Sequence, residues 1–299
     1  MVKGKVLISG SSGLVGSALT ALLTSQGYLV GRLLRDDQPG QPYWDINNKS
    51  FSLKEFENPD VVIHLSGENI GDGRWTTSKK KKLIDSRILS TQLLVDHFKE
   101  SIPAPKLFIC ASAIGFYGDR GTQKLDETSL VGSDFVSQLA LQWEEASQKI
   151  KQAGTRLVNL RTGIVISQKG GALTKMLPPF KFGLGGKIGS GKQIMSWIDI
   201  DDMVRGIAFI IENESLQGPV NMVSPAPVSN QLFTQSLANQ LKRPCILPMP
   251  ALMVKLLFGE MGNELLLSST HVLPKKLIEA GFVFNYQTLQ ASLLKQLGN

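Results

Sequence analysis

Seven residues near the start of the chain, Gly10-Ser11-Ser12-Gly13-Leu14-Val15-Gly16, carry the clearest chemical signal. Glycine permits a positive φ and lets a ligand's phosphates lie against bare backbone, while the opening turn of a helix offers unpaired amide hydrogens and a partial positive charge. The chemistry that suits Gly10, Ser11, Gly13, Leu14, Val15 and Gly16 is therefore the binding of a pyrophosphate. The spacing is GxxGxxG, and no GxxxxGK string followed by Ser or Thr occurs, which argues against a P-loop nucleotidase. About twenty residues further on, a carboxylate ordinarily holds the adenosine ribose of NAD. Here the sequence reads Arg32-Leu33-Leu34-Arg35. A guanidinium binds a 2′-phosphate through paired hydrogen bonds, so Arg35 points to NADP, with Asp36 and Asp37 as ribose ligands if the strand runs one residue longer.

Other reactive side chains are sparse. Cys110 and Cys245 are far apart, no CxxC occurs, and three histidines show neither triad nor metal spacing, so no metal site and no disulfide framework is expected. Asp126-Glu127 and Asp199, Asp201 and Asp202 are candidate general bases, although charge pairing at helix N-termini accounts for them more simply.

The elements that must hold these residues follow from periodicity. Val6-Leu7-Ile8 sits in a buried strand over 5–9, and Leu14, Val15, Ala18, Leu19, Leu22 and Leu23 recur at helical spacing over 14–26. Further strands are expected over 28–34, 61–65, 106–111 and 156–165, with helices over 78–99 and 134–152. This alternation implies right-handed crossovers and a doubly wound parallel α/β sheet of the Rossmann kind. From Gly183 onward, glycines and prolines mark a smaller C-terminal α+β lobe. The expected division is 1–182 for the nucleotide-binding domain, with some later segments returning to it, and 183–299 for the substrate lobe.

Several longer strings resemble the extended short-chain dehydrogenase/reductases, in particular atypical "epimerase family" proteins with a C-terminal domain of unknown function. They include His64-Leu65-Ser66-Gly67-Glu68-Asn69-Ile70, Gly73-Arg74-Trp75-Thr76, Ser112-Ala113-Ile114-Gly115-Phe116-Tyr117-Gly118, and Met195-Ser196-Trp197-Ile198-Asp199. The resemblance spans nearly the whole chain and implies NADP binding in a Rossmann domain. It places Leu65, Ser66 and Gly67 along the adenosine side, Arg87 at a cofactor-contacting arginine, and Ile164 beside the nicotinamide. It also places Ser112 at the family's catalytic serine. The Tyr-x-x-x-Lys pair that normally completes the site is missing, and the helix that should carry it reads Asp134-Phe135-Val136-Ser137-Gln138-Leu139. Tyr117, five residues after Ser112, is the candidate substitute.

Composition sets the outer bounds. The 299 residues carry 32 Lys+Arg against 25 Asp+Glu, a formal charge of +7, with 42% hydrophobic residues, which is ordinary globular usage. No apolar run approaches the roughly 20 residues needed to span a bilayer, and polar serines and three glycines interrupt the weakly signal-like start. The expectation is a cytoplasmic protein with an unidentified small-molecule substrate, no nucleic-acid or membrane partner, and a homodimer paired through the helices over 78–99 and 134–152. It is either an NADP-dependent oxidoreductase or epimerase or a catalytically inactive NADP-binding regulator.

Overall fold

Val6, Leu7 and Ile8 are fully buried because the strand that carries them is covered on both faces, with alternate side chains entering separate cores. In the computed structural model, which describes residues 2–46, 48–54 and 56–298, six parallel strands form the central sheet. These are β1 (Lys5–Ser9), β2 (Leu29–Leu33), β3 (Val61–His64), β4 (Leu107–Ala113), β5 (Arg156–Thr162) and β6 (Gly218–Met222). Their order is β6-β5-β4-β3-β1-β2. The chain direction across the sheet reverses between β1 and β3, where doubly wound sheets open a ligand crevice beyond the strands' carboxyl ends.

Helices α1 (Leu14–Ser25) and α5 (Ile200–Glu212) cover one face and pack against each other, and α2 (Thr77–Lys99) and α3 (Phe135–Ser147) cover the other. α3 stops five residues short of the expected end, and a 3-10 turn carries the chain to Gly154, whose φ of +76° turns it into β5. The strand expected over 156–165 is broken at Gly163. A Cβ there would meet the Ser196 carbonyl oxygen at 2.7 Å, so the chain leaves the sheet and Ile164–Ile166 pairs with Trp197–Asp199. Residues 197–222 return to the main domain as α5 and β6, which pack into its core.

A separate cluster gathers α6 (Asn230–Gln240) and α9 (Leu289–Leu297) of the C-terminal lobe with α4 (Gly171–Lys181), which precedes the expected boundary at 183, around Trp197 and Phe233. Between α6 and α9 lie α7 (Ala251–Phe258) and α8 (Lys275–Glu279). Among the described residues, no helix is long and apolar enough to cross a membrane.

Candidate functional site

The register of β1 against β3 sets Ser9 opposite His64, so the chains leave the sheet side by side. The Leu65 amide then donates to the Ser9 carbonyl at 3.1 Å. Gly10 has φ +71°, and an added Cβ would stand 2.8 Å from the Leu65 carbonyl carbon. At Gly16 the Cβ would lie 2.1 Å from the Gly10 carbonyl oxygen, which is why the helix can start directly against the turn. Gly13 is the N-cap of α1; no side chain caps that first turn and no acidic residue stands in it. Leu14 and Val15 open the helix half-buried. A bare cradle with an uncapped helix mouth fits a dinucleotide's pyrophosphate, which would satisfy the turn's amides and its partial positive charge.

The side walls come from β2 and β3. Arg32 Nε donates to the buried Ser11 Oγ at 3.3 Å and so braces the glycine turn. Arg35, two residues beyond β2, is exposed, whereas Asp37 is ion-paired with Lys54. Ser66 is buried, and Glu68 accepts from Lys79 at 2.6 Å. That hydrogen bond holds the Glu68 carboxyl below the usual range against the opposing effect of burial, and the charges of Lys79, Lys82 and Arg35 lower it further. The basic run Lys79 to Lys82, which reads in the sequence as a solvated helix face, thus brings two lysines to Glu68.

Arg87 lies beneath this wall. It is buried, donates to the Glu68 carbonyl (3.0 Å) and the Leu83 carbonyl (3.0 Å), and stands 5.0 Å above the Trp143 ring. Burial pushes its pKa down to about 10. The space a Cβ on Gly67 would take is 3.4 Å from the Arg87 Cζ, so guanidinium and turn fit each other closely. Ile164 is half-buried, and its amide donates to the Ser196 carbonyl at 2.9 Å.

His64 closes the floor under the glycine turn. Its Nδ1 is 2.6 Å from Ser9 Oγ and its Nε2 3.0 Å from Ser90 Oγ. Ser90 Oγ also donates to the Ser86 carbonyl, so the ring carries its proton on Nε2 and accepts from Ser9. Burial, aided by the charge of Arg87, lowers the pKa from the ordinary 6.5 to about 3. The sign follows: above pH 6.5 the ring is neutral folded or unfolded, and as the pH falls the unfolded chain takes the proton first, so stability is lost between 6.5 and 3. At pH 5 the loss from this residue is about 2 kcal/mol. Urea denaturation of His64→Gln at pH 7.5 and pH 5 should show a correspondingly shallower fall than the wild type; parallel falls would remove His64 from the acid response.

Ser112 faces α3 rather than open crevice. Its Oγ donates to Glu144 Oε1 at 2.8 Å, and β4–β5 register sets Ser112 opposite Arg161. Arg161 grips the same carboxylate at both ends, Nε to Oε1 at 2.8 Å and Nη2 to Oε2 at 2.9 Å. The guanidinium lies 3.5 Å over the Phe116 ring, and its Nη1 donates to Tyr117 Oη at 3.0 Å. Tyr117 is fully buried and donates its hydroxyl proton to Asn221 Oδ1 at 2.7 Å. Burial pushes its pKa up to about 12. A phenol so held is an anchor between β5 and β6, which weighs against proton exchange with a bound substrate.

A family model for the NAD dependent epimerase/dehydratase family matches residues 6–223, and a second, for a domain of unknown function (DUF1731), matches residues 249–295. The chain belongs to the NAD-dependent epimerase/dehydratase family. An epimerase family protein of Mycobacterium leprae is 39% identical over 293 residues, covering 97% of this chain and 95% of that protein. The crystal structure of human epimerase family protein SDR39U1 (isoform 2) with NADPH superposes with a TM-score of 0.92 at 32% identity, covering 99% of both chains. A nucleoside-diphosphate sugar epimerase from Corynebacterium glutamicum gives a TM-score of 0.81 at 34% identity over 99% of this chain and 58% of that one. The epimerase-family fold and its cradle for NAD(P) are therefore common ground between this chain and its relatives.

At the two helix positions where a family Tyr and Lys are expected, this member has apolar packing. The Phe135 ring meets Trp75 edge-on at 5.2 Å, and Leu139 is buried in a cluster with Trp75, Leu83, Val136 and Met261. The acids weighed as bases are structural ties. Asp199 accepts from Ser292 (2.6 Å) and the Asp201 amide (2.8 Å), Asp202 accepts from the Asn285 and Tyr286 amides (2.9 and 2.8 Å), and Glu127 accepts from the Asn221 and Lys276 amides (3.0 and 3.3 Å). Each fixes a C-terminal segment to the main domain. Among the described residues, no cluster of His, Cys, Asp or Glu could hold a metal ion.

Proposed function

We propose that this epimerase-family protein is an NADP-dependent oxidoreductase or epimerase acting on a small polar substrate, sugar-like or nucleotide-linked, between the sheet edge and the C-terminal lobe. The observation that carries the cofactor preference is the grouping of Arg35 with Lys79 and Lys82 about Glu68 while Asp37 is turned to Lys54. A 2′-phosphate entering that group gains charge-assisted hydrogen bonds, and an unphosphorylated ribose offers the cations no such charge. The NADPH in the crystal structure of the human relative agrees with this choice.

In this reading Gly10, Gly13 and Gly16 admit the pyrophosphate, the amides of Leu14 and Val15 face it, Ser66 and Gly67 line the adenosine, and Ile164 packs beside the nicotinamide. NADP supplies hydride chemistry when bound. Ser112 spends its own proton on Glu144, so it has lone pairs left to accept a hydrogen bond from a substrate hydroxyl. Tyr117 acts through Arg161 and Asn221 as a positioning residue. The apolar filling at Phe135 and Leu139 favours the second reading, a regulator whose conformation follows NADP occupancy.

Calorimetric titration should show tighter binding of NADPH than NADH, and Arg35→Asp should weaken NADPH by about 100-fold while leaving NADH nearly unchanged. Equal affinities in the wild type would remove the phosphate argument. NADPH consumption on a panel of carbonyl and nucleotide-sugar compounds, with Ser112→Ala alongside, separates enzyme from regulator. A homodimer through α2 and α3 would have only Leu89 as a large exposed apolar side chain on these helices, so its expected contribution is weak.

A further inference from the structure

Helix α7 has the sequence ALMVKLLF, yet only Val254 is buried. Leu252 and Leu256 are 69% and 67% exposed, and Met253 and Leu257 about half. A soluble helix normally turns such a stripe inward. The exposed apolar surface continues beyond the helix. The Leu247 and Met249 amides donate to the Gly185 and Lys187 carbonyls, and this pairing brings Ile246 and Leu247 beside the segment that follows Phe182, the three being exposed.

The exposed charges on these segments have one sign; of the acids that follow α7, Glu260 is tied to Lys80 at 2.6 Å and Glu264 accepts from the Val136 amide at 3.1 Å. The sequence has no Asp or Glu between Glu145 and Asp199, nor between Glu214 and Glu260. Six cations stand in those stretches, Lys187 and Lys255 on the paired segments and α7, and Lys181, Lys192, Lys242 and Arg243 within a few residues of them in sequence, and all are exposed. Among the described residues none of the six joins an ion pair.

We infer that this end of the C-terminal lobe docks on an anionic lipid surface, with the α7 leucines entering the headgroup boundary and the surrounding cations meeting lipid phosphates. A second copy of the chain is a poor occupant, because a two-fold contact would set like charges against each other. An acidic protein partner would answer the charge, but an eight-residue helix exposed nearly all round is a projection, and a fluid interface accepts a projection without a matching groove. The sequence predicts no membrane partner because no apolar run approaches the length needed to span a bilayer; that reasoning bears on spanning and not on surface contact, which the interfacial pattern of leucines with lysines suits. The inference stands apart from the cofactor reading and uses none of its residues.

The test is co-sedimentation of the full chain with vesicles of phosphatidylcholine alone and of phosphatidylcholine with about one phosphatidylglycerol in three. Binding is expected only to the second, and it should be released at about 0.5 M salt, where the Debye length falls to a few ångström. Lys181→Glu with Lys187→Glu should lower the partition at least roughly 30-fold, and Leu252→Ser with Leu256→Ser should lower it comparably, both with unchanged thermal unfolding. Lys149→Glu with Lys151→Glu, beyond α3, serves as the control and should bind as wild type. The inference is overturned if anionic vesicles leave the chain in the supernatant, or if the leucine variant pellets as well as wild type. A dimer in sedimentation velocity that the leucine variant dissociates would show a second copy covering the face, and would overturn it equally.

Discussion

Replacing Glu144 with alanine is expected to destabilise the fold by about 3–5 kcal/mol, one of the two largest single-residue effects predicted for this chain. The reason is what the change leaves behind. Arg161 is almost entirely buried, its side chain 5% exposed, and two of its three donor contacts end on Glu144. Without the carboxylate a charged guanidinium stays against the Phe116 and Tyr117 rings, and Ser112 loses its acceptor. The cost is that of an uncompensated buried charge and so exceeds the value of the intact pair. Glu144→Leu combined with Arg161→Met should therefore recover much of the loss, since removing both partners removes the orphan. Urea midpoints at constant slope would test this. A double variant no more stable than Glu144→Ala would mean that the pair holds the site through geometry that apolar packing cannot replace.

That pair also marks a limit of what can be read along the chain. Glu144 lies on α3 and Arg161 on β5, seventeen positions apart, and nothing in the spacing joins a helix carboxylate to a strand guanidinium. Arg161 carries no role in the sequence reading, which singles out only Ile164 three residues later. Tyr117 was legible as a loop tyrosine following Ser112; its complete burial depends on Asn221, 104 residues later. The lysine run on α2 was legible as charge, but the turn of helix facing Glu68 was not.

Most of the main sheet was legible because its evidence is local. Continuous apolar triplets mark strands buried on both faces, and glycine before a helix marks the crevice. β6 escaped because GPVNM holds a glycine and a proline. It lies at the sheet's edge, where Pro219 need not donate to a neighbour on its free side. The break at Gly163 escaped for the opposite reason: Arg156 to Val165 is a continuous strand pattern, and only the approach of the Ser196 carbonyl divides it. α7 has the composition of a core helix, and its exposure is set by the tertiary structure alone.

Two of the three glycines of the cradle should respond to alanine differently, and the contrast separates shape from ligand binding. At Gly16 the new methyl would fall 2.1 Å from the Gly10 carbonyl oxygen, a backbone atom that cannot move without opening the turn. Gly16→Ala should therefore destabilise the protein with or without cofactor and reduce NADPH affinity by about 100-fold or more. At Gly13 the backbone has φ −73°, which alanine adopts without strain, and the one nearby atom is 3.3 Å away. Gly13→Ala should lose about 1 kcal/mol of stability as an N-cap change, because glycine is preferred over alanine at that position. Its methyl nevertheless projects at the helix mouth, where a pyrophosphate must approach the amides, so NADPH affinity should fall by at least about 10-fold. Thermal unfolding measured with and without saturating NADPH reads both quantities, since ligand binding to the folded state stabilises it by RT ln(1 + L/Kd), with L the free ligand concentration, and raises the midpoint accordingly. A Gly13→Ala protein that keeps the full ligand-induced shift would show that the uncapped turn of α1 is not where the phosphates rest.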